Sequence, residues 1–512
     1  MDVDEALKLV DPKRRLQWIY AVAISAQALP GALIVLVMEF VGHTPKFECH
    51  QEGANGTQVL VDACFNGTTE HCDRIVFRHP YTSVVTEWSL VCERASEAHA
   101  LQSLFMAGMT MASLPIGPLA DRFGRRRLVL LTFGLQALLM GALALSPNYG
   151  TFAALRFLTG SLQAGGFPNF TLTTELVGPQ LRSKVGLFGS VFFSAGILCL
   201  SLAAYLITSW RWLLVFSAVV AALSVLVIGV VAPQSARWLL QKGRTRQAEE
   251  VLLGMARSNG LTPPSDFSLV ASKQEGGSTS DHCCSLFTRG RAALWTVVLC
   301  FNWAVHTLSY YGLTAAAAGM GSGRFSSFAF SGLVELPPVL VVTWVLERLG
   351  RRYTLSGTMA IGGVACLLIY VLPAVYIDDH GGRLTLSLIG KLCISTTFTV
   401  TYIFSGEIFP TSLRNTGLGI VNICARLAGV MYPFVALLNT VSKDSHFLLF
   451  GVLITSSALF DLLLPETLGK TLPKDVDEML GNDIEMYAPL KLEESDSDVE
   501  LDTTDEKDVE IR

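Results

Sequence analysis

Long apolar runs separated by short charged turns fill almost the whole chain. Twelve runs, at about 16–41, 98–119, 128–146, 151–176, 186–208, 212–232, 293–317, 325–346, 354–375, 384–405, 416–438 and 446–464, reach roughly the 20 residues that a helix needs to cross a hydrocarbon core. Backbone polar groups inside lipid must bond within the protein, so runs of this length predict helices. Two stretches break the pattern. Residues 233–292 open on an amphipathic helix pattern, Ala236 to Arg257, and loosen into Lys273-Gln-Glu-Gly-Gly-Ser-Thr-Ser280. The tail is dense in acids, as in Glu493-Glu-Ser-Asp-Ser-Asp-Val-Glu500, and carries too few apolar residues to order itself. The expected organisation is an N-terminal segment 1–15, a six-span half over 16–232, a linker over 233–292, a second six-span half over 293–464, and a tail over 465–512, disordered from about 481. Met1–Arg15 is charged, and the run after it is too long for the core of a cleavable signal, so it is expected to remain as span one.

The two halves echo each other. Glu175-Leu-Val-Gly-Pro-Gln-Leu-Arg182 returns as Glu407-Ile-Phe-Pro-Thr-Ser-Leu-Arg414, displaced by 232 residues, and Pro233 returns as Pro465 at the same displacement. Asp121-Arg-Phe-Gly-Arg-Arg126 has a weaker partner in Glu347-Arg-Leu-Gly-Arg-Arg352, displaced by 226. Each motif follows an apolar run, which predicts a duplicated membrane bundle, an architecture that carries solutes between its halves. In the short turns, Gly124 permits a tight reversal. Asp121, Arg122 and Arg125, with Glu175, Arg182 and Arg237, are expected to form a charged latch at one end of the first half. Glu347, Arg351, Glu407 and Arg414 would form its counterpart. A latch that forms in one conformation and breaks in another acts as a gate.

Composition agrees with this layout. Mean hydropathy is +0.46 and charged residues are 16% of the chain, well below the soluble norm of about 25%. The net charge of −5 is dominated by the acidic tail. The basic clusters, Lys13-Arg14-Arg15, Arg122 to Arg127, Arg182 with Lys184, Arg237 to Arg246, Arg348 to Arg352 and Lys470, all fall on one side. The positive-inside rule makes that side, with both termini, cytoplasmic. The first external loop, about 43–97, holds four cysteines, Cys49, Cys64, Cys72 and Cys92, and two sequons, Asn55-Gly-Thr57 and Asn66-Gly-Thr68. Two disulfides in any of three connectivities and glycans at Asn55 and Asn66 are expected, which favours the plasma membrane. No metal-site spacing, nucleophile–base pair or phosphate-binding loop stands out. No cofactor, enzymatic activity or nucleic-acid partner is therefore expected.

These motifs resemble the signature set of the major facilitator superfamily. Three further matches, Thr86-Glu-Trp-Ser-Leu-Val-Cys92, Ser235-Ala-Arg-Trp-Leu-Leu-Gln-Lys-Gly243 and Glu407-Ile-Phe-Pro-Thr-Ser-Leu-Arg-Asn-Thr-Gly417, resemble the organic cation/anion/zwitterion transporters, solute carrier family 22. The resemblance covers about residues 10–480. It implies two pseudo-symmetric six-helix bundles rocking about a substrate site, driven by exchange against a counter-substrate or by a coupling ion such as Na+ or H+. Gln234 departs from the family's usual Glu, which is expected to weaken the latch below span six.

Ionisable residues deep in spans usually mark a pathway. Lys391 lies roughly 12 Å in from the outer end of span ten, and Arg426 and Glu335 each lie about 15 Å deep in spans eleven and eight. Arg426, in Ile423-Cys-Ala-Arg-Leu-Ala-Gly429, resembles the anion and carnitine-type branches, as Gly390-Lys391 resembles the anion branch. Glu335, in Val334-Glu-Leu-Pro337, resembles the cation and carnitine-type members. Two cations and one anion suit a small organic anion or a carboxylate-bearing zwitterion. The planar fork of Arg426 would take the carboxylate. Trp303, His306 and Tyr310 share a face of span seven, flanked by Tyr311, and would supply an aromatic wall. His306 also makes proton linkage available. Asn169, beside Gly165-Gly166 and Pro168 in span four, is a polar amide expected to line the cavity. Asp461, near the inner end of span twelve, is expected to reach the interface and is left outside the site. Alternative readings are a cation or carnitine-like carrier dominated by Glu335, or a non-transporting receptor on the same scaffold.

Overall fold

The computed structural model describes residues 3–53, 56–61, 72, 74–78, 81–261, 269, 285–319, 323–372, 381–410, 413–435, 438, 444–470, 473 and 475–481. Asn55, Cys64, Asn66, most of the linker beyond Leu261 and the acidic tail lie outside them. Among the described residues, nine helices are long and apolar enough to cross a membrane: Arg15–Val41, Cys92–Phe123, Arg125–Ala144, Lys184–Leu206, Trp210–Val231, Gly290–Ala318, Arg351–Val371, Gly382–Ile408 and Thr416–Val435. Span four is split into Tyr149–Gln163 and Gly166–Leu176, span eight into Arg324–Leu333 and Leu336–Leu349, and span twelve is the shorter Ser445–Asp461. Together these make twelve spans.

Prolines explain the interruptions. Span one breaks between Ser25 and Ala28, ahead of Pro30. The break in span four precedes Pro168, and that in span eight precedes Pro337 and Pro338. A proline lacks the N–H that would bond four residues back, and its ring crowds that carbonyl. Pro115 and Pro118 nevertheless sit inside span two without ending it. Close packing is made possible by Gly108 and Gly160, where spans two and four cross. A Cβ on Gly108 would strike the Phe157 carbonyl, and one on Gly160 the Phe105 carbonyl.

Contacts between the halves run from span two to span eleven and from span five to span eight. Ser103 Oγ donates to the Val430 carbonyl at 2.8 Å and Ser201 Oγ to the Phe325 carbonyl at 2.6 Å. At the same end, Arg324 donates to the Glu39 carbonyl and meets His43 Nδ1. Phe40, Phe325, Phe328 and Tyr205 cluster around them. The halves are thus closed at the end that carries the first loop.

Three features were not foreseen. The first loop contains a three-stranded antiparallel sheet in the order β2-β1-β3, from β1 (Phe47–Gly53), β2 (Gly56–Val61) and β3 (Arg74–Phe77). Cys49 of β1 is bridged to Cys72, and Cys92 is also in a disulfide. Residues Val3–Val10 form an amphipathic helix that buries Val3, Ala6, Leu7 and Val10 in one cluster with Leu239, Leu252 and Met255. Finally, the expected single helix Ala236 to Arg257 is two, Ala236–Gln241 and Thr245–Ser258. Gly243, at φ +70°, turns the chain between them.

Candidate functional site

Span eight loosens at Glu335, just ahead of its two prolines, and aims that carboxylate into the bundle. Lys391 Nζ lies 3.0 Å from Glu335 Oε1, with side-chain exposures of 0% and 7%. Tyr310 donates its hydroxyl to the same oxygen at 2.7 Å, and Ser194 of span five reaches Oε2 at 3.4 Å across the halves. Lys391 also donates to Ser331 Oγ and sits 5.2 Å from the centre of the Tyr310 ring. Two of the three expected charges therefore neutralise each other.

Arg426 is left as the net positive charge of the three. Its Nε donates to Asn422 Oδ1 at 3.2 Å, a terminal nitrogen lies 3.0 Å from Met109 Sδ, and its guanidinium is 5.4 Å from the Phe167 ring centre. Met109 and Phe167 belong to spans two and four, so Arg426 bridges the interface between halves. It is half-buried, and among the described residues no carboxylate pairs with it. Tyr311 and Tyr432 stack beside this region, 5.3 Å between ring centres.

The remaining expected residues make contacts between spans. Trp303 is buried against span ten, its Nε1 donating to Ser405 Oγ at 3.0 Å. His306 is buried with Nδ1 3.1 Å from Thr397 Oγ1 and its ring stacked on Phe398. Of the aromatic wall, Tyr310 and Tyr311 are the members beside the charged groups. Asn169 is nearly buried and donates Nδ2 to the Ile24 carbonyl at 3.2 Å, tying span four to the break in span one. Asp461 corrects its expected place: it does not reach the interface but is fully buried, bonded by Asn302.

The latch motifs form two equivalent clusters. Arg125 Nε meets Glu175 Oε1 at 3.0 Å, and Arg351 Nε meets Glu407 Oε2 at 3.1 Å. Beneath them, Gln234 Oε1 accepts from the Arg126 N–H at 3.1 Å, whereas Glu466 accepts from both the Arg351 and Arg352 N–H groups, at 2.9 and 3.0 Å. Gln234 thus keeps one of the two cap bonds. Asp121, mostly exposed, meets Arg125 at 3.3 Å. Arg122 lies over the Phe123 ring, and Glu347 is exposed. Arg182 and Arg237 instead converge on Asp4 of the N-terminal helix. Arg414, the counterpart of Arg182, keeps two buried nitrogens without a partner among the described residues. Asp4 gave no signal in the sequence because its partners lie 178 and 233 residues away.

Residues 93–464 match the family model described as Major Facilitator Superfamily. Solute carrier family 22 member 15 of Xenopus tropicalis is 33% identical over 94% of this chain and 91% of its own. The chain belongs to solute carrier family 22. A Drosophila melanogaster relative, named organic cation transporter protein, is 32% identical over 80% of this chain and 76% of its own. A solved structure of the xylose transporter XylE from E. coli, in an inward open conformation, superposes with TM-score 0.60 at 14% identity, covering 91% of this chain and 98% of that one. The protein is a multi-pass member of a family of membrane transporters rather than of enzymes. Its family motif at Thr86–Cys92 is a brace. Glu87 accepts from Trp210 Nε1 at 2.9 Å and pairs with Arg211, while Trp88 packs on Tyr149, Phe152 and Trp210.

Proposed function

We propose that this solute carrier family 22 protein moves small organic anions or carboxylate-bearing zwitterions across the plasma membrane by alternating access. The observation that carries the reading is Arg426. It is a half-buried guanidinium between the halves, with no carboxylate partner among the described residues. A substrate carboxylate would supply the missing counter-charge through paired hydrogen bonds. Lys391 and Glu335 compensate each other, so they add polarity without net charge. The half-buried ring of Tyr311, stacked on Tyr432, would offer an aromatic contact to the amine end of a zwitterion.

The halves would rock against each other under the control of the latch pairs Arg125–Glu175 and Arg351–Glu407, which are formed in this conformation and would break in another. Both termini would then be cytoplasmic. A coupling ion or counter-substrate would drive the cycle. The Drosophila relative, named an organic cation transporter protein, favours a second reading, in which Glu335 takes an organic cation. That reading requires Lys391 to leave Glu335 first.

The test is uptake of labelled para-aminohippurate, carnitine and tetraethylammonium by cells expressing wild type or Arg426→Ala at matched surface levels. Removing one partner of a desolvated charge pair costs about 2 kcal/mol or more, so uptake efficiency of the carboxylates should fall by about 30-fold or more. Uptake of tetraethylammonium alone, unchanged by Arg426→Ala, would refute the anion reading and promote Glu335.

A further inference from the structure

Asp461 belongs to neither the Arg426 site nor the latch. It ends span twelve, and its side chain is 0% exposed. The amide of Asn302, on span seven, donates Nδ2 to both carboxylate oxygens at 3.1 and 3.0 Å. That nitrogen also lies 3.2 Å from Ser457 Oγ, and Asn302 Oδ1 accepts from Thr401 Oγ1 of span ten at 3.2 Å. Spans seven, ten and twelve therefore converge on one carboxylate through neutral groups.

Burying an ionised carboxylate costs more than a hydrogen bond from a neutral donor returns. Among the described residues, no Lys, Arg or His pairs with Asp461. The charged and titratable groups on the packed spans are engaged elsewhere or face other partners. On span nine, Arg352 donates to the Leu464 carbonyl and, through its backbone, to Glu466. On span ten, Lys391 pairs with Glu335 and Glu407 with Arg351. On span seven, His306 turns to Thr397, and Cys300 is a free thiol. The amide nitrogen of Asn302 lies between the two carboxylate oxygens, the position a cation held by both would take. A proton needs no such room.

The cluster is wired to the latch end. The Leu464 N–H bonds the Asp461 carbonyl at 3.1 Å, and the Leu463 carbonyl accepts from Trp295 Nε1 at 3.2 Å. Five residues beyond Asp461, Glu466 caps the latch turn of span nine. Span ten, which contributes Thr401, ends at the latch acid Glu407. These bonds connect the Asp461 cluster to the latch end.

We propose that Asp461 is a proton-binding site, occupied in this conformation and emptied when the latch end rearranges, so that substrate movement is linked to a proton. The proposal rests on the transport reading above. It differs from that reading in using no residue of the Arg426 site.

Infrared titration of the purified full-length protein in detergent, between about pH 5 and pH 10, reads the protonation without any substrate. The carbonyl stretch of a buried protonated carboxyl should be present at neutral pH in wild type and missing from Asp461→Asn, a variant of the same shape. Its absence from wild type, or its persistence in Asp461→Asn, would overturn the proposal. In proteoliposomes, carnitine and para-aminohippurate uptake by wild type should change by up to about tenfold per pH unit across the titration. Asp461→Asn should retain uptake with a flat profile. An equal pH response in both proteins would overturn the linkage. No uptake by wild type would remove the transport reading, and the linkage with it, while the infrared result would still decide whether Asp461 binds a proton.

Discussion

The pair formed by Lys391 and Glu335 permits a quantitative test of what holds the C-terminal half together. At 3.0 Å and an effective dielectric of about 20, their attraction is about 5 kcal/mol before desolvation is counted. Removing one member of a buried pair strands the other, at about 3–5 kcal/mol. The two single variants should differ. Glu335→Gln leaves a fully buried ammonium with Ser331 as its remaining strong acceptor, and should fall at the upper end of that range. Lys391→Met leaves a carboxylate still bonded by Tyr310 and Ser194, and should fall at the lower end. The double variant removes both charges and should return to within about 1 kcal/mol of wild type, since a buried pair gains little over neutral groups of similar volume. Denaturant unfolding in micelles, followed by tryptophan fluorescence across the four-protein cycle, measures the coupling. A double variant as unstable as the sum of the singles, or a loss below about 1 kcal/mol in Glu335→Gln, would refute the reasoning.

Two further outcomes follow from the latch end. Gly350 has φ +81°, and a Cβ there would lie 2.6 Å from Glu466 Oε2. Gly350→Ala should therefore cost about 1–3 kcal/mol in the same unfolding assay and reduce uptake at matched surface expression; unchanged stability would show that the turn tolerates a side chain. Asp4→Asn removes two partly exposed ion pairs, worth up to about 1 kcal/mol each. Hydrogen exchange over Val3–Val10 should quicken by about tenfold, and unchanged exchange would mean that the apolar face of the helix alone docks it.

Legibility followed the range of the interactions. Apolar runs specified the spans because each span satisfies its own backbone, and the repeated latch motifs could be matched by sequence comparison alone. The pairing of Arg125 with Glu175 and of Arg351 with Glu407 was foreseeable from that repetition. The break in span four carried a local signal in Gly165, Gly166 and Pro168, and Glu335 sits beside its own prolines. By contrast, the sheet of the first loop was hidden by the shortness of its strands, four to seven residues each, and the helix Val3–Val10 by its charges.

The membrane architecture, its duplication, the latch motifs and the rare charges within the spans are all readable from residue order. Each of these is written in local hydropathy or in residues whose cost in lipid makes them conspicuous. Which charges remain free was decided by tertiary structure alone. Lys391 and Glu335 cancel because spans ten and eight bring their charged atoms to 3.0 Å, and Arg426 is left uncompensated because no carboxylate of the described residues arrives beside it. Asp461 is buried instead of interfacial because Asn302, 159 residues away, is brought to its oxygens. Electrostatic character depends on pairwise distance and burial, and neither is a property of a residue's place along the chain.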